Sequence, residues 1–180
     1  MSRLTQVTNQ DASPEAAELF GVIREKVGAA ANVYRVLANQ PAALKGLLSL
    51  NENLDEGDFD AATRDAIALA VAGANGCDYC ASAHTAISKS LKVEAAEIEA
   101  RLIGKSSEAK LQAILTFAVT VVKKRGFVSD DDLTLAREAG LDDAQIVETV
   151  ANVVANIFTN YINHVAHTDI DFPVVLTKAA

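Results

Sequence analysis

Two cysteines and a histidine lie close together between Cys77 and His84, and these side chains are the best suited to chemistry in the chain. On an α-helix that turns about 100° per residue, Cys77, Cys80 and His84 fall within roughly 60° of one another. Their spacing sets the Cα atoms of the two cysteines about 5 to 6 Å apart, a distance that a disulfide bond tolerates. The segment therefore predicts a redox-active dithiol beside an imidazole.

The residues before Cys77 favour a reactive thiolate. Asn75 and Gly76 are typical of the end of one helix, so both cysteines are predicted to lie in the first turns of the next helix. The positive end of the helix macrodipole stabilises a thiolate at that position. His84 follows Cys80 by about 6 Å of helix but is about 10 Å from Cys77. A histidine base would therefore serve Cys80 first.

Two other interpretations of the cysteines are open. They can be half of a zinc site, although structural zinc usually takes four ligands and the chain has no third cysteine. They can also be inert core residues, because cysteine packs well as a small hydrophobe and this helix carries other apolar residues. Inert core cysteines would need neither this spacing nor a histidine on the same face.

The composition predicts an all-α fold. The chain has 180 residues, of which 50% are hydrophobic and 5% aromatic, with three prolines and nine glycines. This is enough for one compact multi-helix bundle, and we expect a single domain over residues 1–180. The net charge of −8 argues against nucleic acid or an anionic membrane as a partner. Small molecules or proteins are the expected partners.

The expected location is the cytoplasm. The first residues are polar and lack the apolar run of a signal peptide. The most apolar long stretch, residues 146–165, contains Glu148 and several asparagines, which a membrane span would not tolerate without special partners. In the cytosol, a CxxC motif is more often redox-active than structural.

Hydrophobic periodicity and helix-end signals predict nine helices, over residues 14–27, 32–39, 42–54, 60–74, 77–91, 93–103, 108–124, 129–139 and 142 onward. The last helix carries a polar stripe of Asn152, Asn156, Asn160 and His164, spaced four residues apart. This stripe either lines a pocket above the dithiol or makes contacts between helices or subunits. The second role is the commoner one for buried amides.

The segment from Arg64 to Val71, followed by Asn75-Gly76-Cys77-Asp78-Tyr79-Cys80 and His84-Thr85, resembles the core motif of the alkylhydroperoxidase D and carboxymuconolactone decarboxylase superfamily. The likeness is strongest over residues 64–91. In the peroxidase branch an acidic residue stands twelve places before the first cysteine, and here that residue is Asp65. The family residue is usually glutamate, which is one methylene longer. Tyr79 stands where some members have a histidine.

The resemblance implies a thiol-dependent peroxidase for small hydroperoxides. Cys80 would be the peroxidatic thiolate, Cys77 would resolve its sulfenic acid to a disulfide, and His84 with Asp65 would move protons. It further implies reduction by a protein dithiol or lipoyl carrier, assembly into trimers or hexamers, and chemistry that requires no metal or cofactor. The alternatives are a carboxymuconolactone decarboxylase-like lyase and a non-catalytic thiol redox sensor.

If the helices on either side of Asn75-Gly76 form a hairpin, Asp65 and His84 lie about 15 and 12 Å from the turn, and so at nearly the same level. This arrangement allows a direct or water-bridged contact between them. A plainer interpretation makes Asp65 a helix-stabilising acid in the first turn after Thr63.

Overall fold

A computed structural model describes residues 1–177. It contains nine helices in this range, and no β-strand lies within it. In chain order they are α1 (Pro14–Val27), α2 (Asn32–Leu37), α3 (Pro41–Leu54), α4 (Ala61–Asn75), α5 (Asp78–Ser90), α6 (Ala95–Leu102), α7 (Ala109–Lys124), α8 (Asp130–Glu138) and α9 (Asp143–Ala166). The all-α prediction is confirmed, and each predicted helix is present with its ends within a few residues of the expected positions.

Helix α4 is the centre of the bundle. It packs against α5, α6, α7 and α9. Its residues 65–72 are all buried, and apart from Asp65 they are apolar, so the helix has no solvent-facing side over two turns. Burial on all sides is the usual environment of a helix that lacks a polar face. The position of Asp65 inside this apolar helix is therefore unusual.

Two apolar clusters lie on either side of α4. One joins α1, α2 and α3 with the start of α5, and includes Phe20, Leu44 and Tyr79. The other joins α4 with α7, α8 and α9, and includes Ile67 and Leu115. Both cysteines belong to the first cluster. The long helix α9 packs against α2, α3, α4, α5 and α7, and so it reaches both clusters.

The turn between α4 and α5 positions the cysteines. Gly76 adopts the left-handed conformation with φ of 67°, which glycine accepts without strain. The Cys77 N–H then donates to the Ala72 carbonyl oxygen at 2.9 Å, which closes the end of α4. Cys77 is at the same time the N-cap of α5. The chain therefore reverses directly in front of the dithiol, as Asn75 and Gly76 predict.

No helix in residues 1–177 has the length and apolar character that are needed to cross a membrane.

Candidate active site

Cys77 and Cys80 are free, buried thiols with side chains in contact. Their sulfur atoms lie 2.8 Å apart, whereas a disulfide bond is about 2.05 Å long. The Cys80 N–H also donates to Cys77 Sγ at 3.3 Å. The pair is therefore in the dithiol state, and a small movement of either side chain would bring the sulfurs to bonding distance.

The two thiols differ in acidity. The hydrogen bond from Cys77 is the largest influence that lowers the pKa of Cys80, and the charge of His84 and a hydrogen bond from Asn163 lower it further against the effect of burial. For Cys77, the hydrogen bond to Cys80 and then burial raise the pKa well above the ordinary thiol value. Cys80 is therefore the thiol that ionises first, while Cys77 stays protonated and donates a hydrogen bond to it.

His84 and Asp65 are in direct contact across the α4–α5 hairpin. Nδ1 of His84 lies 2.7 Å from Oδ1 of Asp65, and the hydroxyl of Ser88 donates to the other carboxylate oxygen. The direct contact that the hairpin geometry allows is present. The first-turn interpretation of Asp65 is wrong, because Asp60 is the N-cap of α4 and Asp65 is 5% exposed.

The aspartate reaches His84 directly, although its side chain is one methylene shorter than that of glutamate. The carboxylate fixes the imidazole with Nδ1 as the donor, which leaves Nε2 free for proton transfer. Burial alone would lower the pKa of His84, but the hydrogen bond and charge of Asp65, with the charge of Cys80, together raise it.

A cavity of about 500 Å³ opens onto these groups. Cys80, His84 and Asp65 line it, and Cys77 does not. The other lining residues include Ala68, Ala83, Ile87, Ala155, Phe172, Val33, Tyr34, Leu47, Leu54, Arg64, Asn152, Asn156, Thr159 and Asn163. A small, mainly apolar molecule in this cavity meets Cys80 first.

The four residues of the predicted polar stripe on α9 lie in different environments. Asn152 and Asn156 line the cavity, while their Nδ2 atoms donate to backbone carbonyl oxygens of the preceding turn at 2.9 Å. Asn160 is fully buried and accepts a hydrogen bond from Asn75 Nδ2 at 2.9 Å. His164 is exposed and stacks on Tyr161. Both proposed roles of the stripe therefore occur, at different residues.

Asn163 contacts the dithiol, and the sequence does not single it out. Its Nδ2 donates to Cys80 Sγ at 3.3 Å. It lies one turn after Asn160, outside the four-residue repeat that defines the stripe. A search for polar residues spaced three apart on the same buried face would have found it.

Tyr79 makes hydrogen bonds and a ring contact to other segments of the chain. Its hydroxyl donates to Asp171 Oδ1 at 2.7 Å and accepts from the Val33 N–H at 3.1 Å. Its ring packs edge-on against Phe172. Burial is the first cause that raises the pKa of Tyr79, so the hydroxyl keeps its proton. Tyr79 therefore ties Asp171 to α2 and α5, and its hydroxyl makes no hydrogen bond to the His84–Asp65 pair, although the residue lines the same cavity.

No group of three or more His, Cys, Asp or Glu side chains in residues 1–177 is arranged to hold a metal ion.

Comparisons with known proteins point to one fold. Residues 41–107 match the model of the carboxymuconolactone decarboxylase family. The sequence has no match among curated proteins. The chain is similar in structure to the alkylhydroperoxidase AhpD core of an uncharacterized peroxidase-related protein from Ralstonia eutropha JMP134, with a TM-score of 0.83 and 22% identity over 94% of this chain and 92% of that one.

Two further solved structures are similar. A peroxidase-related protein from Silicibacter sp. TM1040 has a TM-score of 0.78 and 22% identity over 94% of each chain. A cysteine-to-alanine variant of the debrominase Bmp8, in complex with 2,3,4-tribromopyrrole, has a TM-score of 0.79 and 18% identity over 95% of this chain and 92% of that one.

The segment matched by the family model contains Asp65, Cys80 and His84, which line the cavity, and Cys77, which contacts Cys80. The resemblance seen in the sequence is confirmed: the chain has the alkylhydroperoxidase D-like fold, and over residues 41–107 it carries the sequence pattern of the carboxymuconolactone decarboxylase family.

Proposed function

We propose that this protein is a thiol-dependent peroxidase that reduces hydrogen or alkyl hydroperoxides through Cys77 and Cys80. The observation that carries the proposal is the placement of Cys80 on the cavity wall, with Cys77 Sγ 2.8 Å away from its sulfur. The family match and the structural neighbours support a function of the peroxidase-related or carboxymuconolactone decarboxylase type. Within that range, the paired thiols favour the peroxidase.

In the first step, the Cys80 thiolate attacks the terminal oxygen of the hydroperoxide. An S–O bond forms, the O–O bond breaks, and Cys80 becomes a sulfenic acid. The alkoxide that leaves takes a proton from His84. The pairing of His84 with Asp65 suits this role, because the carboxylate favours a protonated imidazole that can supply the proton.

In the second step, Cys77 attacks the oxidised sulfur of Cys80. A disulfide forms, and the hydroxyl group leaves with the Cys77 proton as water. Burial of both thiols limits the access of a large molecule to the sulfenic acid. Because Cys77 is already in contact, the disulfide forms faster than a second peroxide can oxidise Cys80 further.

A dithiol must then reduce the disulfide. We propose a protein dithiol or a lipoyl-type carrier, since the sulfurs are buried and a slender dithiol arm can reach Cys80 through the cavity. We further propose that the protein acts in the reducing cytoplasm as a trimer or hexamer.

A stopped-flow measurement tests the proposal. Reduced protein is mixed with a slight excess of cumene hydroperoxide, and thiol loss is followed over time. We expect rapid loss of two thiols, no rapid loss in Cys80→Ser, and slower loss in His84→Ala. His164→Ala is the matched control, because it removes an exposed imidazole and should leave the rate unchanged. Loss no faster than that of an ordinary free cysteine contradicts the proposal.

Reductive dehalogenation is a second candidate. The mainly apolar cavity suits a small halogenated ring, and the debrominase Bmp8 has the same fold. A dithiol can supply the two electrons: a brominated ring and two thiols give the hydrogen-bearing ring, a disulfide and hydrogen bromide. This candidate would be favoured if the protein released bromide from 2,3,4-tribromopyrrole faster than hydroperoxides oxidise its thiols.

The lyase and the redox sensor make different predictions. Decarboxylase-like chemistry relies on acid–base groups and would survive Cys80→Ser. A sensor would form the disulfide once and change its assembly or binding, without rapid turnover when a dithiol is supplied. Multiple turnovers that depend on Cys80 exclude both as the main role.

A further inference from the structure

In the side-chain amide of Asn163, the nitrogen makes a hydrogen bond and the oxygen has no partner in residues 1–177. Its Nδ2 donates to Cys80 Sγ at 3.3 Å. Its Oδ1 is buried and accepts no hydrogen bond from any of residues 1–177. A buried carbonyl oxygen without a partner is unfavourable and uncommon. This oxygen without a partner therefore points to a donor that residues 1–177 do not supply.

The cavity gives such a donor a route to Asn163. Asn163 and Cys80 both line it, whereas Cys77 and Asn160 do not. A molecule that approaches the Cys80 sulfur from the cavity therefore passes beside the Asn163 amide. Nδ2 donates to the sulfur, and Oδ1 is the acceptor of this amide that has no partner in residues 1–177.

A second amide keeps α9 in place beside the thiols. Asn160 lies one turn before Asn163 and accepts a hydrogen bond from Asn75 Nδ2 at 2.9 Å. Asn75 is the last residue of α4, directly before the turn that leads to Cys77. The link ties α9 to the α4–α5 turn, so the Asn163 amide is held at a fixed position relative to the dithiol.

We propose that Asn163 is a substrate-binding residue, which holds the Cys80 thiolate through Nδ2 and accepts the O–H of an incoming hydroperoxide through Oδ1. The inference rests on the proposed peroxidase function and adds the group that orients the substrate. An amide oxygen can accept this hydrogen bond, and it carries no charge that would oppose the thiolate.

The reaction preserves this hydrogen bond. The oxygen that bears the hydrogen is the one transferred to sulfur: the S–O bond forms, the O–O bond breaks, and the departing alkoxide takes a proton from His84. The O–H remains on the transferred oxygen, so Asn163 Oδ1 accepts the same hydrogen before the reaction and in the Cys80 sulfenic acid. An acceptor that stays in place aligns the O–O bond with the attacking sulfur. Cys77 then displaces the hydroxyl group as water.

Two reagents distinguish substrate binding by Asn163 Oδ1 from an effect of Asn163 on the reactivity of the Cys80 thiolate. In a Cys77→Ser background, Cys80 is the single thiol, and its rate constants are measured with cumene hydroperoxide and with methyl methanethiosulfonate. The second reagent attacks the same sulfur but has no O–H or N–H to donate. Both rates are taken at a pH high enough to ionise the thiol fully, for the parent, Asn163→Ala and Asn163→Asp.

Asn163→Ala should lower the hydroperoxide rate about fivefold more than the methyl methanethiosulfonate rate, the effect of one lost hydrogen bond. Asn163→Asp keeps an acceptor of the same size, and its ratio of the two rates should lie within about twofold of the parent. If Asn163→Ala does not fold, Asn163→Leu, which has a similar shape and no acceptor, replaces it, with circular dichroism as the check of folding.

Equal losses with both reagents in Asn163→Ala would overturn the inference while the peroxidase function stands. A parent protein that reacts with cumene hydroperoxide no faster than free cysteine would contradict the peroxidase function, and the inference with it. The role of Oδ1 would also be overturned if the ratio of the hydroperoxide rate to the methyl methanethiosulfonate rate stayed at the parent value in Asn163→Ala and fell in Asn163→Asp.

Discussion

Nδ1 of His84 lies 2.7 Å from Oδ1 of Asp65, although the two residues belong to different helices and Asp65 is buried among apolar residues. The carboxylate orients the imidazole, and the hydroxyl of Ser88 donates to its second oxygen. Without Asp65, burial would favour the neutral imidazole. The proton-donating ability of His84 therefore depends on a residue that does not itself bond to the thiols.

We predict that Asp65→Asn lowers the rate of Cys80 oxidation by about tenfold or more, as expected when a positioned acid–base group is weakened. The variant keeps the size of the side chain but removes the charge that raises the pKa of His84. The imidazole pKa, measured by NMR, should fall in parallel. Ser88→Ala should have a smaller effect on both. An unchanged imidazole pKa in Asp65→Asn would contradict this account.

Cys77 should control the acidity of Cys80, because its hydrogen bond is the largest influence that lowers the Cys80 pKa. The rate of Cys80 alkylation rises with pH as the thiolate forms, and we expect the half-rise below about pH 8.5, the ordinary thiol value. In Cys77→Ala the half-rise should move to higher pH. In Cys77→Ser the hydroxyl still donates, so the shift should be smaller. A larger shift of the half-rise in Cys77→Ser than in Cys77→Ala would show that the hydrogen bond from Cys77 does not cause the low pKa of Cys80.

The loop between α6 and α7 should make stability depend on pH. Hydrogen bonds from Ser106 first, and from Ser107 and Arg101, lower the pKa of the Glu97 carboxylate to about 2. Since the pKa in the unfolded chain is about 4.3, the folded state favours the charged form. This contribution is complete above about pH 4.3 and is lost as the pH falls towards 2.

We therefore predict that Glu97→Gln lowers the free energy of unfolding by about 2 kcal/mol at pH 6, and that the difference from the parent shrinks towards pH 2. Urea denaturation at a series of pH values measures it. Glu25→Gln, which removes an exposed carboxylate of α1, is the control. A difference that stays constant with pH would contradict the proposed role of the charge.

Two helical glycines should respond in opposite ways to alanine. A Cβ at Gly73 would lie 1.8 Å from the Leu102 carbonyl oxygen, so α4 and α6 would have to separate. A Cβ at Gly21 of α1 would meet no atom within 4 Å. We predict that Gly73→Ala destabilises the protein by about 2–3 kcal/mol, the usual cost of overpacking.

Gly21→Ala should instead stabilise the protein by about 0.5–1 kcal/mol, because alanine loses less backbone entropy in a helix. Thermal unfolding followed by circular dichroism compares the two variants with the parent. A Gly73→Ala variant as stable as the parent would mean that the approach of α4 to Leu102 is looser than described.

The sequence predicts the features that depend on neighbouring residues. Helix ends are marked by local signals such as Ser13 before Pro14 and Gly76 before Cys77, and these helices begin and end near the predicted positions. The His84–Asp65 contact is predictable for a related reason. A single tight turn joins the two helices, so counting residues from that turn sets their relative height.

Contacts between distant segments could not be predicted in this way. Asn163 and Cys80 are separated by 83 residues, and their contact depends on how α9 crosses α5. Tyr79 and Asp171 are separated by 92 residues, and the residues after α9 have no periodic pattern to indicate where they pack. Asn160 and His164 share a predicted face, but the bundle covers one end of that face and leaves the other exposed.

Trapping of the sulfenic acid tests the central claim most directly. Cys77→Ser and Cys80→Ser proteins are each treated with one equivalent of cumene hydroperoxide in the presence of dimedone, and the adducts are located by mass spectrometry. We predict rapid formation of a dimedone adduct on Cys80 in the Cys77→Ser protein and little or none on Cys77 in the Cys80→Ser protein. An adduct that forms mainly on Cys77, or no adduct on either cysteine, would contradict the assignment of Cys80 as the peroxidatic thiol.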